Sequence, residues 1–287
     1  MADVTDNRPP HRGLRKGLYA IPTLFTAGNV GMGFLAVLWS IRGYHASFTD
    51  VAAASHYFNL AGLGIGLAIL FDTLDGRVAR ATRTSTEIGV QFDSLADVLT
   101  FGLAPTALVY GWAFGGTFPE NTPGHNIGVI ILFLFLMCGA FRLARFNLQA
   151  STPRDANDSA PKTPKSSFVG LPIPPAGGLL AALVHFAPAP LSSYGPQAGE
   201  YYSYALMALI GTLAILMVSK IGYTSFKSIG KGRQSYVMIL ILAVGVMFIY
   251  LYSEYTLLLI ASVYVAHGLI SWIFRSIFTK SSPFASE

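Results

Sequence analysis

Eight apolar runs follow one another along this chain, each near or above the ~20 residues that a helix needs to cross the hydrocarbon of a bilayer. They occupy residues 18–41, 53–80, 89–114, 127–149, 170–188, 201–219, 235–252 and 255–278, with short polar intervals between them. Apolar segments of this length satisfy their backbone groups in lipid only as helices or closed barrels, and runs of about 20 residues suit helices. The pattern predicts an all-α polytopic membrane bundle of about eight transmembrane helices. Composition agrees, since only 11% of residues are charged, far below the roughly 25% usual in soluble domains.

The basic residues predict the orientation, because Lys and Arg collect on the cytoplasmic side. With eight spans, all but Arg42 of the 19 fall on one face: Arg8 to Lys16, Arg77 to Arg83, Arg142 to Lys165, Lys220 to Arg233, and Arg275 with Lys280. Both termini are therefore expected in the cytoplasm, with 1–17 a cytoplasmic segment and the first run a retained anchor. Adding or removing one span would throw half of these clusters onto the wrong side. The net charge of +5 thus reads as topology plus attraction to anionic membrane lipids, and nucleic acid is not expected as a partner. Cys138 is the only cysteine, so no intrachain disulfide is possible.

Within this apolar setting stand four aspartates, Asp72, Asp75, Asp93 and Asp97. A carboxylate at the bilayer centre costs about 2.5–3.5 kcal/mol, so four in one short stretch need cations, water or a place near the interface. On helices, Asp72 and Asp75 are three apart and share a face with Gly76, Ala79 and Arg80; Gly89, Asp93 and Asp97 are spaced by four. The polar interval 81–88 suits a turn between antiparallel helices, which would bring the acids together at the cytoplasmic interface. Carboxylate oxygens suit hard divalent cations, Mg²⁺ or Mn²⁺, and two such ions can orient a pyrophosphate.

Asp72-x-x-Asp75-Gly76-x-x-Ala79-Arg80, followed by Gly89-x-x-x-Asp93-x-x-x-Asp97, resembles the signature of the CDP-alcohol phosphotransferases. That resemblance implies a metal-dependent membrane enzyme that moves a substituted phosphate from a CDP-linked donor to an alcohol and releases CMP. It implies that Asp72, Asp75, Asp93 and Asp97 hold two divalent ions, with Asp97 also the catalytic base toward the acceptor hydroxyl. It places Gly76, Ala79, Arg80 and Gly89, with Thr26 and Asn29 of the first run, against the nucleotide donor. The small residues let a nucleotide approach the helix backbone, and Arg80 offers a fork of donors to phosphate.

Phe101 to Pro105, Arg142 to Asn147, Phe168 to Pro175 and Ser225 to Lys227 are similar to the branch of that family whose acceptor is L-serine. This implies CDP-diacylglycerol and L-serine as substrates, a catalytic bundle over 18–233, and 234–287 as two additional helices with a short tail. Arg142, Arg145, Asn147 and Lys227 are candidates for binding the acceptor or a phosphate. It further implies a bacterial or archaeal cell membrane, a site facing the cytoplasm, and a homodimer. Two alternatives stay open: another acceptor, such as glycerol phosphate, inositol phosphate or choline, and a cation or proton transporter using the same acids.

Other motifs have structural readings. Gly62, Gly64 and Gly66 lack the strand of a dinucleotide site and suit close helix packing. Pro172, Pro174 and Pro175 suit a helix start. The six histidines include no i, i+4 metal pair, and Ser94 suits a hydrogen bond within its own helix.

Overall fold

The computed structural model describes residues 12–82, 87–151, 167–219, 221–224 and 235–278. Each apolar run contains a helix: α1 (Arg12–Ala46), α2 (Val51–Thr82), α3 (87–117), α4 (Pro123–Ser151), α5 (Ile173–Phe186), α6 (Pro196–Val218), α7 (Ser235–Leu251) and α8 (Ser253–Phe278). Among the described residues five helices are long and apolar enough to cross a membrane, carried by α1, α2, α3, α4 and α6.

The expected span 170–188 is a correction. Its helix, α5, has only 14 residues, about 21 Å, because Gly170 takes a left-handed φ of +84° and Pro172 stays extended at ψ 146°. Proline then enters the first turn of α5, where no backbone donor is needed.

Helices α1 and α2 form an antiparallel hairpin. Asp50 ends the turn and caps α2, its Oδ1 accepting from the backbone N–H groups of Ala52 and Ala53 at 2.9 and 3.0 Å. Small residues let the helices close: a Cβ on Gly64 would come 3.1 Å from the Trp39 ring, and one on Gly62 2.9 Å from the Ala181 carbonyl of α5. Gly66 faces open space, so the packing expectation holds for two of the three glycines.

In α3 the helix widens into π-helical turns at Val98–Leu103 and Tyr110–Phe114. Pro105 has no N–H to give the Phe101 carbonyl four residues back, and α5 moves in at that point. A Cβ on Gly177 would lie 2.6 Å from the Phe101 oxygen. The π-helical stretch begins directly after Asp97, a placement common at functional sites.

A two-stranded antiparallel ribbon, β1 (Ser167–Val169) with β2 (Gly222–Thr224), is the one departure from an all-helical chain among the described residues. Backbone groups between helices need partners, and these segments supply each other's. The Gly170 N–H donates to the Ile221 carbonyl at 2.8 Å and the Leu171 N–H to the Leu216 carbonyl at 3.1 Å, joining the start of α5 to the end of α6.

Phe58, Ile65, Phe101, Leu108, Phe114, Phe135, Leu180, Ile210 and Leu213 fill the interior. Large apolar side chains such as Phe34, Ile41, Phe133 and Ile215 face outward, as a bilayer solvent requires. His185 is buried and satisfied: its Nδ1–H donates to the Asn59 amide oxygen, and Nε2 accepts from Ser253 Oγ at 2.9 Å. It thereby ties α2, α5 and α8 and is no metal ligand.

Candidate active site

Helix polarity gathers the site at one end of the bundle. The C-terminal turns of α2 bring Asp72 and Asp75, and the first turns of α3 bring Asp93 and Asp97. A ligand oxygen from each of Asp72, Asp93 and Asp97 lies within 4.8 Å of the others. At that separation two carboxylates repel by about 3 kcal/mol for an effective dielectric near 20, so the donor set suits a divalent cation. Asp75 stands within electrostatic reach of Asp93 and Asp97 and is 6% exposed. One of its oxygens, Oδ2, accepts the hydroxyl of Thr26 from α1, so the structure brings all four predicted acids together while giving Asp75 a protein partner.

Gly76 is half-buried and Gly89 exposed. Ala79 and Arg80 continue α2 past Asp75; their side chains are outside those described. Lys227 lies outside the described residues altogether.

The two arginines of α4 diverge. Arg142 is 7% exposed, interacts electrostatically with Asp97 and Tyr264, and has no hydrogen-bond partner for Nε among the described residues. Arg145 donates from Nη1 to the Val218 carbonyl at 3.4 Å, at the C-terminus of α6, where a cation complements the helix dipole. Asn147 donates to Ser94 Oγ at 2.9 Å, and Ser94 in turn donates to the Val90 carbonyl at 3.1 Å. Asn147 therefore joins α4 to α3.

Asn29 is wholly buried, and neither its amide oxygen nor its nitrogen has a partner among the described residues. Its backbone carbonyl accepts from Thr100 Oγ1 at 3.3 Å, which sets it against the turn that follows Asp97. The Oδ1 of Asp97, 8% exposed, is likewise without a partner among the described residues. Sequence reasoning missed Thr100 and Tyr264. The spacing of Thr100, three residues after Asp97, was a usable signal; Tyr264 had none, since it reaches the site only through the packing of α8.

The sequence profile of the CDP-alcohol phosphatidyltransferase family matches residues 19–219, most of the chain. The chain is also similar to a CDP-diacylglycerol–serine O-phosphatidyltransferase of Helicobacter pylori, 31% identical over 92% of this chain and 97% of that protein. A protein of the same name from Methanocaldococcus jannaschii is 31% identical over 73% of this chain and 82% of its own length. An archaetidylserine synthase of Methanothermobacter thermautotrophicus is 30% identical over 74% and 72% respectively. With its four aspartates drawn together at one end of an apolar helix bundle, the chain belongs to the CDP-alcohol phosphatidyltransferase family.

Proposed function

We propose that this protein transfers the phosphatidyl group of CDP-diacylglycerol to the hydroxyl of L-serine, giving phosphatidylserine and CMP. The observation that carries the reading is the clustered oxygens of Asp72, Asp93 and Asp97 with Arg142 beside them. The names of the relatives support serine as acceptor.

Asp72, Asp75, Asp93 and Asp97 would hold divalent cations, Mg²⁺ or Mn²⁺, two in number. When bound, these neutralise the pyrophosphate and stabilise the departing CMP. Thr26 fixes the orientation of Asp75 through its hydroxyl. Gly76, Ala79 and Gly89 leave room for the nucleotide, and Arg80 meets phosphate.

The serine oxygen attacks the phosphorus that carries diacylglycerol, the bond to CMP breaks, and the hydroxyl proton passes to Asp97 Oδ1, an oxygen without a partner among the described residues. Arg142 receives the serine carboxylate as a fork of donors. Arg145 and Asn147 hold helices together, a role their observed partners support. Lys227 stays a candidate for phosphate.

The donor and product are lipids, whereas serine and CMP are soluble, so the reaction suits an interface. The clustering of basic residues supports the cytoplasmic face of a bacterial or archaeal cell membrane, with both termini inside. Residues 18–233 form the catalytic bundle and 234–287 add the last two helices. The expectation of a homodimer joins this reading from resemblance alone.

Purified protein given CDP-diacylglycerol and Mg²⁺ or Mn²⁺ is expected to release CMP with L-serine and to make phosphatidylserine. Release with glycerol phosphate, inositol phosphate or choline but none with L-serine would transfer the same chemistry to another acceptor. No metal-dependent release with any alcohol would remove the enzymatic reading.

A further inference from the structure

We propose that Asn29 recognises the α-ammonium group of the amino-acid acceptor, an inference that rests on the serine reading above. A wholly buried amide with neither end paired among the described residues is costly, about 1–3 kcal/mol for each unsatisfied group, so it calls for an occupant.

Its position on α1 shows which occupant it meets. Thr26 is engaged with Asp75, and Asn29 stands one turn deeper on the same side, its backbone carbonyl accepting from Thr100, one turn beyond Asp97 on α3. A further turn down, α1 and α3 close completely: a Cβ on Gly33 would lie 3.0 Å from the Thr100 Cα. Asn29 therefore adjoins a closed contact of α1 with α3, whereas Gly89, proposed to leave room for the nucleotide, is exposed. Resemblance grouped Asn29 with the donor contacts; its unpaired amide favours the acceptor instead.

Among the described residues, the unpartnered polar atoms of Asp97 and of two residues linked to it, Asn29 through Thr100 and Arg142 by charge, come from three helices and differ in kind. Asn29 offers a carbonyl oxygen and an amide nitrogen, Asp97 a carboxylate oxygen, and Arg142 an N–H donor. A zwitterionic hydroxy amino acid supplies the complement to three of these four: carboxylate to Arg142, ammonium to Asn29 Oδ1, hydroxyl to Asp97 Oδ1. A phosphate-bearing acceptor would instead set its negative charge against the two oxygens, with only Arg142 and the Asn29 N–H groups to receive it. Asn29 thus contributes selectivity as well as affinity.

The test compares L-serine with 3-hydroxypropionate, which lacks only the amino group, by CMP release from the full-length protein. Wild type is expected to prefer L-serine. Asn29→Leu, close in volume, is expected to raise the KM for L-serine roughly tenfold or more, the effect of one charge-assisted hydrogen bond. It should leave the KM values for 3-hydroxypropionate and CDP-diacylglycerol within about twofold, and thermal stability equal or higher, because an unpaired buried amide has gone.

A parallel rise for both acceptors, or a rise for CDP-diacylglycerol, overturns the assignment. Wild type settles the matter even if the variant does not fold: equal use of the two acceptors overturns the role of Asn29 while leaving the serine reaction standing. No CMP release with L-serine overturns the acceptor reading itself.

Discussion

Replacing Arg142 by lysine and by methionine separates charge from geometry at the acceptor end of the site. Arg142 is 7% exposed and within electrostatic reach of Asp97, itself 8% exposed. Arg142→Met removes the cation within electrostatic reach of the buried Asp97, a loss that stays below the about 3–5 kcal/mol of a buried ion pair in direct contact. Against a total stability of about 5–15 kcal/mol, that lowers the unfolding temperature and the yield of folded protein.

Arg142→Lys keeps the charge and should fold. It replaces a planar fork by a point donor, so one charge-assisted hydrogen bond to the serine carboxylate is lost, about 1.5–3 kcal/mol. The expected reading is a roughly tenfold or greater fall in kcat/KM for L-serine, mainly in KM, with the KM for CDP-diacylglycerol unchanged. CMP release under saturation of one substrate at a time gives both constants, and thermal unfolding in detergent gives stability. An unchanged serine KM in the lysine variant, or an equal rise for CDP-diacylglycerol, would refute the acceptor role of Arg142.

Two further outcomes are expected. Asp72→Asn or Asp93→Asn should weaken binding of Mn²⁺, read directly by titration of the purified protein, and should cut CMP release by at least about a hundredfold; tight Mn²⁺ binding in both would contradict their assignment as ligands. Gly170→Ala forces a Cβ into a left-handed backbone position at φ +84° and against the Met217 carbonyl oxygen, so stability should fall by at least about 1–2 kcal/mol, and an unaltered unfolding temperature would show that the junction of α5, α6 and the ribbon yields freely.

What the sequence determined by itself was the helical class and the carboxylate centre, because both rest on local periodicity. Lipid leaves an apolar run of ~20 residues few ways to satisfy its backbone, and acids spaced by three and four residues share a helix face wherever the helix packs. Asp72, Asp75, Asp93 and Asp97 were legible for that reason. The length of α5 was not, since the run 170–188 is apolar throughout and only the left-handed Gly170 and extended Pro172 shorten its helix to Ile173–Phe186.

Tertiary structure alone decided between residues that the sequence could not separate. Arg142 and Arg145 stand three apart in one basic cluster, yet one turns to Asp97 and the other to the Val218 carbonyl, because their partners come from different helices. Thr26 and Asn29 are likewise neighbours on α1, but only Thr26 meets a carboxylate. Asn29 is left with its amide buried and unpaired among the described residues, a property set by the approach of α3 at Thr100 and Gly33 and invisible in any pattern along the chain.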